Sequence, residues 1–586
     1  MFLRCYPRHK DGKIHRYWSL VETQRVSGGR VVQRPVLYLG EINDSQQAAW
    51  RKTIDVFGDG AAEPRPLALF PDDRCPEVPD DQVVQIRLRD LRVRRPREWG
   101  ACWLACYLYA QLGLDAFWAE RLPPSRKGTR WDLILQALTV YRLIDPGSEW
   151  RLHREWFAAS ALPDVLGAGF ELAEIHKLYR CLDQVLAHKR ALFAHLHTRW
   201  RDLFNARYDI LLYDLTSTYF ESGPPDAPHD KRRFGYSRDK RSDCVQVLIA
   251  LVITPEGFPL AYEVLAGNVT DNRTLRLFLR QIERQYGKAE RIWLMDRGIP
   301  TEATLAQMRA SDPPVRYLVG APKGRLSQLE AALLEQPWQQ VRAGIEVKLL
   351  PQSGDVYVLA RSERRVVKER AMRRKQLKRL WERLHRLQRM RLTRDRLLLK
   401  LGAARQRWPA GSRVVTVTVT PEGRLTFALD RVKLRQVRRR EGRYLLRTNL
   451  TDRDPALLWE LYMRLVQVEE AFKVLKGDLA VRPIYHQVLP RIEAHIFVAF
   501  LAYALHATLR RRVRDLAPGL TSRAVLEAFR TVQMVDVHLP TTDGREVILS
   551  RYTDPDAAVT LLLRQLRLTL PGQPAPRLIV PHAPTP

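Results

Sequence analysis

Two acids stand at the ends of apolar runs, and a third sits on a helix beside a lysine. The run Ile210-Leu-Leu-Tyr213 is continuously apolar, reads as a buried strand and stops at Asp214. Arg291-Ile-Trp-Leu-Met-Asp296-Arg-Gly298 repeats the pattern: a short apolar strand, an acid, a glycine turn. In Val468-Glu-Glu-Ala-Phe-Lys-Val-Leu-Lys476, helical spacing places Glu469, Phe472 and Lys476 on adjacent turns of one face. A carboxylate at the end of a core strand is costly to desolvate unless it is paired or binds a metal. Ordinary readings exist for each feature. A lone Asp214 caps a turn, and an exposed helical Glu-Lys pair contributes only roughly a few tenths of a kcal/mol. The hydroxyls of Thr216, Ser217 and Thr218 have two readings, ordering the loop that leaves the first strand or touching substrate.

The remaining chemistry-bearing residues narrow the field. The chain has 586 residues, a net charge of +32 and a pI near 10.2, so it suits a polyanionic partner, of which nucleic acid is the commonest. A membrane surface is the other basic-protein partner. However, no run of 18 or more apolar residues is present and the N-terminus has no apolar signal core. The expectation is a soluble, intracellular protein with no membrane partner. Cys102 and Cys106 share a helix face without a second metal-spaced pair, and the six cysteines read as thiols rather than a disulfide framework. The spacing of His486, His495 and His506 predicts no metal cluster, and there is no phosphate-binding Gly-x4-Gly-Lys-Ser/Thr loop.

These residues need elements to hold them. Residues 1–60 read as a β-rich module with a hairpin around Ser27-Gly28-Gly29, and 61–98 as a linker with one strand over Val83–Leu91. Residues 99–206 have helical periodicity and form a basic, candidate DNA-binding domain, broken by Asp145-Pro-Gly-Ser148. From 207 to 324 the pattern is three strands joined as antiparallel neighbours, a helix, a strand, a helix and a strand. Residues 325–440 form a long basic insertion. It carries one helix over Arg361–Lys400, with Leu377, Leu380, Leu384 and Leu387 as its seam, followed by a hairpin from Val414. The core resumes over 441–515, and 516–586 is a C-terminal region whose Pro-rich end, from Leu570, is expected to be disordered. The fold class is therefore α/β. The order of elements matches an RNase H-like core, a mixed sheet flanked by helices, interrupted by the insertion.

Taken together, these pieces resemble the DDE-type insertion-sequence transposases, in the branch with a Y-x2-R-x3-E-x6-K signature. The resemblance rests on Phe234-Gly-Tyr-Ser-Arg-Asp-Lys-Arg-Ser-Asp243, Gly267-Asn-Val-Thr-Asp271, Asp296-Arg-Gly298, and Val468-Glu469 with Phe472 and Lys476. Leu143-Ile-Asp-Pro-Gly-Ser148 also matches. Tyr462 and Lys476 stand at the signature's offsets from Glu469; the arginine position holds Leu465, with Arg464 one residue early. The resemblance implies that Asp214, Asp296 and Glu469 are catalytic and hold two Mg²⁺ (or Mn²⁺) ions per site. It also implies that Tyr462, Arg464, Lys476 and the basic loop with Arg238, Lys240 and Arg241 contact DNA. The expected partners are double-stranded DNA, as terminal inverted repeats and target, and a second copy of the chain in a synaptic dimer. The expected setting is the prokaryotic cytoplasm, associated with the nucleoid. A metal-dependent nuclease of the same fold that does not join strands, and a non-catalytic DNA-binding derivative, are the competing expectations.

Overall fold

The computed structural model describes residues 2–10, 13–25, 31–42, 46 and 86–579, except 226, 238, 240, 270, 288, 297, 298, 322, 353, 391, 452 and 453. The N-terminal module is a meander of β1 (Phe2–Lys10), β2 (Lys13–Arg25) and β3 (Val31–Glu41). Its inner row, Leu3, Leu20 and Leu37, faces the main core. Of the strand expected over Val83–Leu91, residues 83–85 lie outside the described residues and the rest is not a strand. Leu88–Asp90 is a single helical turn, and the strand is β4 (Arg92–Glu98), one step along the chain.

Helices fill residues 100–204 as the sequence periodicity predicts, from Gly100–Gln111 to Lys189–Phe204. Trp131–Ile144 is buried over nearly its whole length and packs against Leu489–Leu516, the long helix at the centre of the fold. By length and composition Leu489–Leu516 is apolar enough to cross a membrane, but 94% of its apolar window is buried inside the protein. Its hydrophobicity is therefore used as core.

The chain then builds one mixed sheet. It uses β5 (Ile210–Phe220), β6 (Val245–Ile253), β7 (Pro259–Ala266), β8 (Ile292–Met295), β9 (Arg316–Gly320), β10 (Gln339–Arg342), β11 (Ile345–Gln352), β12 (Asp355–Ser362) and β15 (Arg443–Thr448). The order is β10-β11-β12-β15-β9-β8-β5-β6-β7. Only β5/β8 and β8/β9 are parallel, each joined through a crossover helix, Asp271–Tyr286 or Glu302–Ala310.

Two expectations change here. First, β5 does not stop at Asp214: it runs on to Phe220, and Thr216, Ser217 and Thr218 are buried strand residues paired with β6 rather than a loop. Second, Gln339–Ser362 is not insertion but three strands that widen the sheet, with β12 pairing β15. The inserted unit is thereby reduced to a basic helix over Glu363–Arg389, a second over Arg394–Arg407, the hairpin β13 (Val415–Val419) and β14 (Leu425–Leu429), and a helix over Arg431–Arg440. The expected single helix breaks between Arg389 and Arg394. Leu380, Leu384 and Leu387 then pack against Leu397 and Leu401 of the returning helix, with Leu377 at the margin.

The C-terminal region is folded as well. β16 (Gln533–Pro540) and β17 (Glu546–Tyr552) form a sheet with β4 on one side and β18 (Arg577–Ile579) on the other, so the expected disordered tail contributes a strand; residues 580–586 lie outside the described residues. Buried Arg97 of β4 donates to Asp536 of β16 at 3.0 Å and to Asp164 at 2.9 Å. This ties the two ends of the chain to the helical region.

Candidate active site

Strand alternation decides where the two aspartates point. In β5, Leu211, Tyr213 and Leu215 pack on the crossover-helix side, with Phe278, Ile282 and Leu305, whereas Leu212 joins the opposite core. Asp214 has the parity of Leu212. In β8, Trp293 and Met295 face the crossover helices and Leu294 faces the other way, so Asp296 continues the Leu294 face. β5 and β8 are parallel and in register at Tyr213 and Met295, so the two aspartates follow adjacent partners on neighbouring strands. The Val466–Lys476 helix packs against β5, burying Val468, Ala471, Phe472, Val474 and Leu475 in the core that holds Leu212 and Leu294 and leaving Glu469 exposed.

Asp296 and Glu469 line one cleft of about 780 Å³, and Tyr462 lies between sheet and helix in the same wall. Burial, together with Tyr444, Asp296 and Glu469, pushes the Tyr462 phenol up to about 12. Asp214, one position past the register pair on the neighbouring strand, is half-buried and is not among the residues that line this cleft; its carboxylate accepts from the Leu215 amide at 2.7 Å. The same lining takes Arg365, Arg373, Arg413 and Arg440 from the inserted unit and Arg443 and Tyr444 from β15 and its approach, together with Glu369, which pairs with Arg365 at 2.7 Å, and Glu441. Arg365 lies 4.1 Å from the Tyr444 ring centroid. Arg373, almost fully buried, donates to Glu441 at 2.6 Å and fixes the hinge into β15. Sequence reading missed these cleft arginines because their common wall appears only once the inserted unit folds back over the sheet. Asp296 and Glu469, with no His or Cys among the described residues that line the cleft, offer oxygen donors only, which suits a hard divalent cation.

The remaining candidate contacts divide. Arg238 and Lys240 lie outside the described residues. Arg241 bonds Asp243 and Glu221 at 3.0 and 2.9 Å, and Arg464 pairs with Glu460 at 3.0 Å. Lys476 reaches Asp239 at 3.0 Å, and Arg482 reaches the same carboxylate at 2.6 Å. Asp239 was overlooked; its signal was an acid inside a loop otherwise dense in Lys and Arg. The loop is held by close backbone approach. A Cβ on Gly235 would stand 2.1 Å from the Gly267 carbonyl oxygen, and one on Gly267 the same distance from that of Gln246. Gln246 Nε2 donates to the Tyr236 and Gly267 carbonyls. Two glycines of the quoted motifs therefore interlock.

One expectation about histidine is corrected. His486 and His495 do cluster, with Glu149 from far earlier in the chain: Glu149 Oε1 lies 3.4 Å from His486 Nε2 and 3.1 Å from His495 Nδ1. Spacing among the histidines alone could not show this, because the third member comes from the Leu143–Ser148 motif region. Arg142 lies 3.8 Å from the same Glu149 oxygen and 3.5 Å from His495 Nδ1. Burial works against the Glu149 carboxylate, but hydrogen bonds from His486 and His495 outweigh it and hold its pKa well below the ordinary value.

Burial pulls His495 down to about 4, with Arg142 adding to the effect and Glu149 opposing it; burial brings His506 to about 4 also, with Asp478 and Arg510 as its charged neighbours. Both imidazoles stay neutral in the folded chain, whereas the unfolded chain takes up protons below about pH 6.5. Stability should therefore fall as pH drops from about 6.5 and level off near 4, each histidine contributing up to ~1.4 kcal/mol per pH unit. Melting temperatures measured across this range for the wild type and His506→Gln test it: equal slopes would remove His506 from the account.

Comparison with known proteins follows this geometry. Residues 205–505 match the transposase DDE domain family, and residues 4–56 match the N-terminal domain of IS1634 family transposases. Among solved structures, the chain is similar to a piggyBac transposase in a synaptic complex with hairpin DNA, at 9% identity and a TM-score of 0.34, covering 73% of this chain and 78% of that one. Among curated proteins no match is found. With the DDE-domain match extending over half of its length, the chain belongs to the insertion-sequence DDE transposases.

Proposed function

We propose that this transposase binds the terminal inverted repeats of its insertion sequence as double-stranded DNA, cleaves the ends and joins them to target DNA. In this reading β5 to β9 form an RNase H-like core, and Asp214, Asp296 and Glu469 are its catalytic carboxylates. The observation that carries the proposal is one cleft lined both by Asp296 and Glu469 and by five arginines. The acids suit a cation, and the guanidinium groups suit a phosphate backbone. The three carboxylates would hold two Mg²⁺ or Mn²⁺ ions. The chemistry such ions supply is activation of an attacking hydroxyl and neutralisation of charge on the leaving oxygen.

The protein's own share is placement. Phosphoryl transfer asks little covalent chemistry of the enzyme, so positioning and charge dominate. Arg365, held against Tyr444, and Arg443 would fix the scissile strand against the acid wall. Tyr462, with its phenol kept protonated, would donate a hydrogen bond to a phosphate oxygen. Two ends must be joined together, so the working unit would hold at least two chains. Labelled terminal DNA incubated with Mg²⁺ or Mn²⁺ and a target plasmid tests the proposal. Joined products support it; nicked ends that are never joined would indicate a nuclease instead.

Asp239 bears on the DNA contact. It neutralises Lys476 and Arg482, the two cations at the C-terminal end of the catalytic helix and just beyond it. Asp239→Ala should leave both to phosphate, tightening terminal-DNA binding roughly tenfold at low salt and steepening the log K against log salt slope by about one to two. Anisotropy titrations at several salt concentrations read this. Unchanged or weaker binding would mean that Asp239 only positions the loop.

A further inference from the structure

We propose that the outer face of the N-terminal three-stranded sheet is a stacking platform for the unpaired bases of single-stranded DNA. The inner face is spent on folding: Leu3, Leu20 and Leu37 share a row and, with Leu39 and Trp18, join the main core. By strand alternation the other face carries Phe2, Arg4 and Tyr6 on β1, Tyr17 on β2 and Tyr38 on β3. Register lines them up. Arg4 pairs with Ser19 and Ser19 with Tyr38, while Tyr6 pairs with Tyr17 in the next row.

These rings are exposed where a core would hide them: Tyr38 is 60% exposed, Tyr6 39% and Phe2 36%. They are also arranged. Tyr17 and Tyr38 lie nearly parallel, with centroids 6.3 Å apart, and the Arg4 guanidinium sits 5.1 Å from the Tyr6 ring. Arg4 also donates to Gln33, which fixes its head across the sheet. The sequence of this module is basic, with eight Lys and Arg against three Asp and Glu in residues 1–42.

Aromatic faces with a positive surround recognise bases by stacking and phosphates by charge. The face is three strands wide, about 10 Å across the strand direction. Duplex DNA hides its base faces within the stack and offers only edges in its grooves, so such a surface suits unpaired bases. A second protein chain is a poorer occupant because the basic surround would meet its own copy. The proposal rests on the reading of this chain as a DNA-processing transposase, whose ends must open or be cut during reaction. It adds a site remote from the acid cleft in sequence and independent of it.

The test uses the full-length protein and a short fluorescein-labelled oligonucleotide of mixed sequence, single-stranded or annealed to its complement. Tyr6→Ala and Tyr38→Ala should each weaken single-strand binding about tenfold. Tyr38→Phe should bind like the wild type, because the ring and not the hydroxyl stacks. Duplex affinity and cleavage of terminal DNA should change less than about twofold, since phosphate contacts elsewhere carry duplex binding. The platform is overturned if the alanine variants bind single strands normally, if single-strand and duplex binding fall in parallel, or if RNA of the same sequence is preferred by the wild type. A wild type that binds duplex and joins ends, yet shows no single-strand response to these substitutions, overturns the platform alone. A wild type that binds neither form overturns the transposase reading along with it.

Discussion

Asp296→Ala and Glu469→Ala should each lower cleavage of terminal DNA about a thousandfold, a loss of roughly 4 kcal/mol in transition-state stabilisation. Binding of the same DNA should hold or improve. Both side chains are exposed at the cleft, so their removal opens no core cavity. Taking one negative charge from a wall that faces phosphate can only ease the approach of DNA. A second readout is independent of turnover. Asp296 and Glu469 both contribute to the raised pKa of Tyr462, so either substitution should lower it, as the difference between ultraviolet titrations with and without Tyr462→Phe would record. Asp214→Asn should match the alanine variants in activity while keeping its strand intact, because the amide oxygen can still accept from the Leu215 amide. Normal cleavage by any of these variants would remove that residue from the proposed site. Lost activity with an unmoved Tyr462 titration would mean that the cleft is arranged differently in solution.

Much of this site can be read in the sequence because its anchors are local patterns. The apolar runs before Asp214 and Asp296 are continuous and short, as strands buried on both faces should be, and the helix around Glu469 has a clear apolar stripe. What local pattern could not convey was where a strand ends when polar residues are themselves buried. Thr216, Ser217 and Thr218 look like a loop, but β6 covers them, and pairing rather than polarity sets their conformation. The same limit hid β10 to β12. They carry charges and turns of their own, and β12 finds its partner β15 only after the whole inserted unit has intervened. The arginine wall and Asp239 belong to this class also. Each is one charge among many until folding sets it in the lining of the acid cleft or at the end of the Val466–Lys476 helix, and no spacing rule spans that distance.

The largest effect on stability is expected at Glu149. Arg142, Glu149 and His495 are buried together, with His486 at their edge, and the carboxylate is the only negative group among them. Glu149→Ala would leave the Arg142 guanidinium inside the protein without its counter-charge, still donating to the Ala480 carbonyl at 3.1 Å. Breaking such a pair from one side costs about 3–5 kcal/mol. The loss should fall on one joint, because the cluster connects the Trp131–Ile144 helix to the Leu489–Leu516 helix and to the segment that follows the Val466–Lys476 helix. Thermal unfolding should therefore begin earlier, and limited proteolysis should open the Leu143–Ser148 turn before the central sheet. Replacing both partners, as Arg142→Met with Glu149→Leu, should recover most of the stability, since an apolar pair has no charge to desolvate. The double variant also separates charge pairing from a metal site built on the same ligands. Arg142 already places a positive charge within 4 Å of the Glu149 oxygen and of His495 Nδ1, and a divalent ion there would face its repulsion at short range. A chelator should accordingly leave the melting temperature of the wild type unchanged. A chelator-dependent fall, restored by added Zn²⁺, would show that the cluster is a metal site and that Arg142 moves aside to admit the ion.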